Sequence, residues 1–284
     1  MIGCIEAGGT KFVCGLVDEN LTIHDRISIP TTNPQETLSL VLEYFKDKDV
    51  SAIGIASFGP LDLNPNSKTY GYLTTTPKPF WAWTDIVGPL RTLKQVPIFI
   101  DTDVNAAALA EAKVGAAQGC DHVVYFTVGT GIGGGVLIHN QLVHGLMHPE
   151  FGHIAVKPHP QDEFKGACIY HHDCLEGMAS GFAMEKRWGV KGHSLPSDHI
   201  AWDIEAFYLA QACVNSLMIV SPQKIVFGGG VMHQEHLLPR VREYFKTLVN
   251  DYVVSDILKN LDEYIVSAGC KDDAGILGAY FLTQ

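Results

Sequence analysis

The chain carries the same short motif twice, a glycine- and threonine-containing turn between two apolar segments, and this repeat restricts the fold more than any other feature. The first turn is Gly8–Thr10 and the second is Gly129–Gly135. The apolar flanks of both turns are typical of strands, and a motif repeated in two halves predicts two similar lobes. Backbone N–H groups of such turns can hold phosphate, so both turns are predicted to close on one polyphosphate from opposite sides of a central cleft. The alternative is a pair of unrelated hairpins.

Length and patterning favour an α/β chain with two domains. The 284 residues are 46% hydrophobic, enough for one large core or two ordinary ones. Strand-like and helix-like segments alternate throughout. We predict an N-terminal lobe over 1–114 and a C-terminal lobe over 115–269, with the last helix, about 270–284, packing back on the first lobe.

A pair of carboxylates follows a predicted strand over 96–100, in the run Asp101-Thr-Asp103-Val-Asn105. A predicted helix begins directly after it. Open α/β sheets hold their reactive groups where a strand ends and a helix begins. Asp103 is therefore predicted to act as a base, although Asp101 or Asp103 could instead be a helix N-cap.

A zinc site is predicted from the spacing His153-x14-Cys168-x2-His171-x2-Cys174. Two thiolates and two imidazoles make a closed tetrahedral ligand set, and the x2 spacings let one tight loop supply three ligands. The neighbouring His172 could replace His171. The alternative is a set of scattered buried cysteines and solvated histidines, among them His148, His159 and His172.

Two further segments favour ligand binding. A predicted strand ends in Gly228-Gly-Gly230-Val231, where the lack of side chains lets a base or ribose approach the backbone. Residues 59–84 form a long predicted loop of hydroxyl and aromatic side chains, which suits either a carbohydrate or a packed surface loop.

Charge and cysteine content exclude several classes. The net charge of -11 argues against phosphate-backbone binding, so no nucleic acid is expected. The seven cysteines form no disulfide-like framework, which is typical of a reduced compartment. The first residues resemble a strand rather than a signal peptide, and no apolar run reaches membrane-spanning length. A soluble cytoplasmic protein without membrane contact is expected.

Taken in order, these motifs resemble the ROK family of sugar kinases over essentially the whole chain. The residues that carry the resemblance are Gly8–Lys11, Asp103–Ala107, Gly129–Gly135, Glu150–His153, Cys168–Glu176 and Gly228–Val231. The resemblance implies the actin-like ATPase (ribonuclease H-like) fold. Within the family the chain looks most like the bacterial fructokinases, on the segments Glu6–Lys11, Ser57–Pro60 and Thr76–Trp81.

The chain departs from the family pattern at two places. Glu6 stands where the phosphate hairpin usually carries an Asp, and His171 stands where the zinc loop usually carries a Cys. The winged-helix extension of the ROK repressors is not expected here. The resemblance to a DNA-binding regulator is correspondingly weak.

The resemblance implies phosphorylation of a hexose by ATP with Mg2+, most closely D-fructose to D-fructose 6-phosphate, by a homodimer. Asp103 would be the general base, and the zinc would be structural. The sugar would be bound by Gly59, Asn105, Glu150, His153 and Glu176. The nucleotide would be bound by Gly8, Gly9, Thr10, Lys11, Thr130, Gly131, Gly133, Gly228, Gly229, Gly230 and Val231.

Three alternatives stay open at this point. A glucose, mannose or N-acetyl amino sugar kinase would share every motif. A sugar-sensing regulator would need the Asp103 region or the glycine hairpins degraded, and both are intact. A zinc hydrolase would need an open coordination position, which four protein ligands do not leave.

Overall fold

The computed structural model describes all 284 residues. The strands are β1 (Ile2–Ala7), β2 (Lys11–Val17), β3 (Ile23–Pro30), β4 (Ala52–Ser57), β5 (Ile98–Thr102), β6 (Val123–Val128), β7 (Ile132–Ile138), β8 (Gln141–Leu142), β9 (Lys224–Gly228) and β10 (Ile265–Ser267). The α-helices are α1 (Pro34–Lys46), α2 (Val87–Leu93), α3 (Asp103–Val114), α4 (Leu175–Ala179), α5 (Gly181–Trp188), α6 (Ile200–Val220), α7 (Leu237–Val249), α8 (Leu261–Tyr264) and α9 (Ala274–Phe281).

The chain divides into two compact units with the same sheet topology. Unit 1 has the strand order β3-β2-β1-β4-β5, and unit 2 has the order β10-β9-β6-β7-β8. In each unit two antiparallel pairings are followed by two parallel ones, with β1 and β6 as the equivalent central strands. The repeat seen in the sequence is therefore a structural repeat, and the predicted two-lobe, actin-like α/β class is confirmed.

The composition of the units differs in detail from the predicted lobes. Unit 1 comprises Met1–Ala110, Val143–His148 and Cys270–Gln284, and unit 2 comprises Glu111–Leu142 and Pro149–Gly269. The short segment Val143–His148 thus groups with unit 1, although the strand before it and the residues after it group with unit 2.

Unit 1 has a hydrophobic core on each face of its sheet. On one face Phe12 packs against Phe45 of α1 and against Trp81, whose indole N–H donates to the Thr32 carbonyl at 2.8 Å. On the other face α9 covers β1 and β4. Alternate residues of each strand serve the two faces, as the pleat requires.

Close packing of α9 depends on two glycines. A Cβ on Gly54 would collide with the Ala279 carbonyl, and a Cβ on Gly278 would collide with the Ala106 carbonyl. The backbones therefore approach within a distance that only glycine permits.

Unit 2 is built around β6 and the long helix α6. Phe126 of β6 stacks on Phe227 of β9 with ring centroids 5.3 Å apart. Helix α6 is apolar on most sides and buried along most of its 21 residues, which is typical of a helix enclosed by other elements. It packs against α4 and α7.

One predicted element of unit 2 differs from the observed one. The glycine run after β6 was expected to be a turn as far as Gly135, but β7 begins at Ile132 and its glycines pair with β6. A Cβ on Gly134 would lie 2.7 Å from Phe151 Cβ, so packing of that ring explains a glycine inside a strand. The last strand, β10, is short and covers Ile265–Ser267. None of the helices is both long and apolar enough to cross a bilayer.

Candidate functional site

The first glycine hairpin joins β1 to β2 in unit 1. Gly8 N–H donates to the Lys11 carbonyl at 3.0 Å, and the Thr31 hydroxyl donates to the Gly8 carbonyl at 2.7 Å. These bonds fix the turn while Gly9, Thr10 and Lys11 stay exposed. The predicted phosphate-binding residues thus form a hydrogen-bonded turn whose exposed residues face solvent.

Glu6 lies at the base of this hairpin. Burial first and the Asp103 carboxylate second raise the pKa of Glu6 to about 6, against the lowering effect of Arg26 and Lys11. A Cβ on Gly275 of α9 would collide with the Glu6 carboxyl group. The glycine makes room for a side chain one methylene longer than the Asp usual in the family.

Asp103 is the first residue of α3, directly after β5. Burial raises the pKa of Asp103 to about 6, and its Oδ1 accepts the Val104 N–H at 2.9 Å. The helix cap is instead supplied by Thr102, whose hydroxyl accepts the Asn105 N–H at 3.1 Å. Asp103 is therefore not needed as a cap, and its role as a base stays a prediction.

Gly59 follows β4 in unit 1 and precedes Pro60 through a cis peptide bond. The long loop after it is partly packed and partly exposed. Leu73 and Trp81 are buried, whereas Phe80 is 81% and Trp83 61% exposed. The loop therefore contributes to the core and also presents aromatic rings to solvent, and carbohydrate binding by it stays a prediction.

The second glycine hairpin joins β6 to β7 in unit 2. Gly129 and Thr130 carbonyls accept the N–H groups of Gly181 and Phe182, at 2.7 and 3.3 Å, from the start of α5. Glu176 Oε2 accepts the Ile132 N–H at 2.9 Å. Glu176 is predicted as a sugar contact, and in the structure its carboxylate stabilises this hairpin through the Ile132 N–H.

The third glycine cluster ends β9. A Cβ on Gly228 would collide with the Tyr125 hydroxyl, and a Cβ on Gly229 would lie 2.5 Å from the Val128 carbonyl. Gly229 also has a φ of +93°, which side chains other than glycine rarely adopt. Gly230 has open space at the Cβ position, so it is the glycine here that leaves room for a ligand.

The four predicted zinc ligands converge. His153 Nδ1 lies 3.5 Å from Cys174 Sγ and 3.8 Å from Cys168 Sγ, and His171 Nδ1 lies 3.8 Å from Cys168 Sγ. All four ligand atoms lie within 4.8 Å of one another. Neighbouring ligands of a tetrahedral zinc ion are about 3.3–3.8 Å apart, given zinc bonds of about 2.0–2.3 Å. The geometry and the donor set fit zinc.

The backbone of the loop explains the choice between the adjacent histidines. His172 exchanges backbone hydrogen bonds with Cys168, at 3.0 and 3.3 Å, and has a φ of +57°. Both histidines are exposed, and the ring of His171 is the one that joins the group. Cys174 is tied to the segment after His153 because Leu175 N–H donates to the Ile154 carbonyl at 3.0 Å.

The segment that leads into His153 packs closely against β7. Glu150 precedes a turn of 3-10 helix over Phe151–His153. A Cβ on Gly152 would collide with the Ile132 carbonyl, and Phe151 packs edge-on against Phe126 at 5.7 Å. Since His153 uses Nδ1 toward the cysteines, its Nε2 is the ring nitrogen left for another ligand.

Sequence reasoning missed two histidines of unit 1. His144 contacts Asp101, with 2.7 Å between Nε2 and Oδ2, and His148 Nε2 accepts the Leu61 N–H at 3.0 Å. His148 was weighed as a solvated loop residue, but it is 3% exposed. No local signal pairs residues 43 and 87 positions apart, although the histidine-rich run before Glu150 points to the segment.

Comparison with known proteins gives a consistent result. The sequence matches the ROK family over residues 2–284. The fructokinase of Pediococcus pentosaceus is 46% identical over 284 residues, which is 100% of this chain and 98% of the relative. The fructokinase of Zymomonas mobilis is 46% identical over 289 residues, covering 99% of this chain and 95% of the relative.

Solved structures show the same fold. The ROK hexokinase from Thermus thermophilus superposes with a TM-score of 0.82 at 25% identity, covering 99% of this chain and 97% of that chain. A ROK family glucokinase from Streptomyces griseus, in complex with glucose and AMPPNP, gives 0.76 at 23% identity over 98% and 97%.

Proposed function

The chain belongs to the ROK family, and from this premise we propose that it phosphorylates D-fructose with ATP, giving D-fructose 6-phosphate. It is an ATP-dependent sugar kinase. The observation that supports the acceptor assignment is the 46% identity to fructokinases over the whole chain. The observation that supports the chemistry is Asp103, a carboxyl at a strand end whose pKa is raised to about 6 by burial.

Phosphoryl transfer needs positioning and charge stabilisation more than covalent chemistry by the protein. Asp103 would accept the proton of the attacking hydroxyl as its oxygen bonds to the γ-phosphorus of ATP, while the bond from that phosphorus to the β–γ bridging oxygen breaks and ADP leaves. Gly9, Thr10 and Thr130 would hold phosphate oxygens through backbone and hydroxyl groups. Mg2+ would accompany ATP and neutralise charge between its phosphates.

The sugar hydroxyls would be held by polar side chains. Asn105, Glu150, His153 and Glu176 are the proposed contacts. Glu176 is suited to couple sugar and nucleotide binding, because Oε2 already accepts the N–H of Ile132 beside the second hairpin. Gly228–Val231 would border the adenosine.

Zinc is proposed as a structural ion held by His153, Cys168, His171 and Cys174. Four protein ligands leave no open position, so its role would be to fix the loop that carries His153 and Glu176. A homodimer in the cytoplasm completes the proposal, on the basis of the family resemblance.

ADP release with Mg-ATP and a panel of hexoses tests this function directly. We expect rapid turnover with fructose and a kcat/KM at least about tenfold lower with glucose, mannose and N-acetylmannosamine, since a site built for one set of hydroxyls leaves polar groups unpaired with another. Preference for another hexose would retain the reaction and overturn the acceptor. No turnover with any hexose would overturn the function.

The rate should also depend on pH with a midpoint near 6. Protonated Asp103 cannot accept the hydroxyl proton, and burial raises the pKa of Asp103 to about 6, so kcat/KM for the hexose should rise as pH increases through that value and level off above it. The measurement is kcat/KM between about pH 5 and 8, with return to pH 7.5 to control for unfolding. A profile that stays flat down to about pH 5 would contradict the role.

A further inference from the structure

The segment Val143–His148 is attached to unit 1 by two imidazoles. His144 contacts the end of β5, and His148 contacts the turn after β4. Between them Leu146 is fully exposed and Met147 is 44% exposed. Leu146 and Met147 therefore do not hold the segment in place, whereas the two histidines bond to β5 and to the turn after β4.

His144 completes the hydrogen bonding of a buried carboxylate. Asp101 is 4% exposed. Its Oδ1 accepts the Thr102 N–H at 2.7 Å and the Asn105 amide at 2.8 Å, while its Oδ2 faces His144 Nε2 at 2.7 Å. These bonds fix both sides of the turn in which Asp103 begins α3. Hydrogen bonding to Asp101 raises the pKa of His144, which favours donation by Nε2.

His148 fixes a different turn. Its Nε2 accepts the Leu61 N–H, so this nitrogen carries a lone pair and the imidazole is neutral. A Cβ on Gly59 would lie 3.4 Å from His148 Cε1, so the ring also packs against that glycine. Side chain and backbone together position the turn Gly59–Leu61 at the start of the long loop.

We propose that Val143–His148 is a clamp on the acceptor site, in which His144 positions Asp103 and Asn105 through Asp101, and His148 positions Gly59 through the Leu61 amide. The proposal rests on the proposed function in that Asp103 and Gly59 are assigned to the acceptor hexose. Neither histidine needs to touch the sugar, so both are positioning residues. Their two attachments predict two different kinetic effects.

Loss of His144 should affect the chemical step. His144→Ala removes the partner of Asp101 Oδ2, and the turn then loosens beneath the base. We expect kcat with fructose to fall about tenfold, with KM for ATP within about twofold, and added imidazole to restore part of kcat because the site is open to solvent. The matched control is His24→Ala, since His24 and Asp18 form a similar pair at 2.6 Å on the exposed β2–β3 hairpin. Equal kcat in wild type and His144→Ala would overturn the proposed positioning of Asp103 by His144.

Loss of His148 should affect sugar binding. His148→Gln can still accept the Leu61 N–H, whereas His148→Ala cannot and also leaves a cavity. We expect KM for fructose to rise about tenfold in the Ala variant and less than threefold in the Gln variant, with kcat changed less than KM. If His148→Ala fails to fold, the Gln variant decides: a fructose KM raised more than about threefold would count against the clamp, and one close to wild type would support it.

Hydrogen exchange separates failure of the clamp from failure of the proposed function. In His144→Ala, peptides covering 99–106 should exchange faster, because the Asp101 carboxylate that accepts the Thr102 N–H is no longer fixed by His144. In His148→Gln, peptides covering 59–63 should keep wild-type rates. A chain without hexose kinase activity would overturn the function while these exchange rates still decide the clamp. Unchanged exchange at 99–106 in His144→Ala would overturn the clamp even in an active kinase.

Discussion

Asp103→Asn is expected to lower kcat by about a thousandfold with every acceptor hexose, while substrate binding changes little. The amide has the size and shape of the carboxyl group and can keep the contact to the Val104 N–H, which Asp103 Oδ1 accepts at 2.9 Å. It cannot take up a proton from a hydroxyl. The measurement is kcat by ADP release together with the Kd for fructose by calorimetry. A variant with more than about a tenth of wild-type kcat would rule out Asp103 as the base.

The same variant should be more stable than the wild type at neutral pH, which separates loss of function from loss of fold. Burial raises the pKa of Asp103 from 3.8 to about 6, so the folded protein holds this proton more tightly than the unfolded chain. The ionised group therefore destabilises the fold. This cost is fully present above about pH 6, decreases as pH falls toward 3.8, and is absent well below 3.8. Asp103→Asn should gain roughly 1–3 kcal/mol at pH 7 in urea unfolding and much less near pH 4.

The elements that carry the candidate site could be predicted from local patterns in the sequence, because each element has a local physical cause. Glycine and threonine between apolar segments predict a hairpin. The position of Asp103, after a predicted strand and before a predicted helix, places it at a helix start. The Cys168–Cys174 spacing predicts a metal loop, and the structure brings those residues together with His153. The topology of the two sheets follows from the repeat of one unit, since both hairpins continue into parallel strands in the same order.

Features that depend on distant pairs could not be predicted. The bond from Ile132 N–H to Glu176 joins residues 44 positions apart, and the sequence offered no reason to pair them. The glycines of β7 are predicted to form a turn because glycine has a low strand propensity. In the structure they lie in a strand, where Phe151 packs on Gly134 and leaves no room for a side chain. The attachment of Val143–His148 to unit 1 has the same origin, because its partners lie on β5 and after β4.

Glu6 shows how a side chain can change while its surroundings compensate. A carboxyl group at the base of the first hairpin was expected from the motif, but not its raised pKa. The cause is burial together with the neighbouring Asp103 carboxylate. Gly275 of α9, far along the chain, leaves the space that the longer side chain occupies. The glutamate at position 6 therefore depends on Gly275, which is separated from it by almost the whole sequence.

Cys174→Ser and His171→Ala are expected to reduce zinc from one ion per chain to almost none and to lower Tm by about 10 °C or more. Structural zinc sites bind with about 10–16 kcal/mol in small domains, and loss of even about 3 kcal/mol shifts Tm by roughly 10 °C in a chain of this size. The measurements are elemental analysis and thermal unfolding. Either variant holding one tightly bound zinc per chain would remove that residue from the ligand set.

His172→Ala is the matched control, because His172 adjoins His171 in the chain and is exposed like it, but lies outside the ligand group and contributes backbone bonds to Cys168. It should retain its zinc and its Tm within about 3 °C. The zinc-free variants should also show a fructose KM raised about tenfold or more, because Cys174 directly precedes α4 and its Glu176. Wild-type protein stripped with a chelator should show the same increase and recover when zinc is returned. Recovery would place the effect in the ion itself, whereas a stripped protein with unchanged KM and Tm would show that the cluster has no structural role.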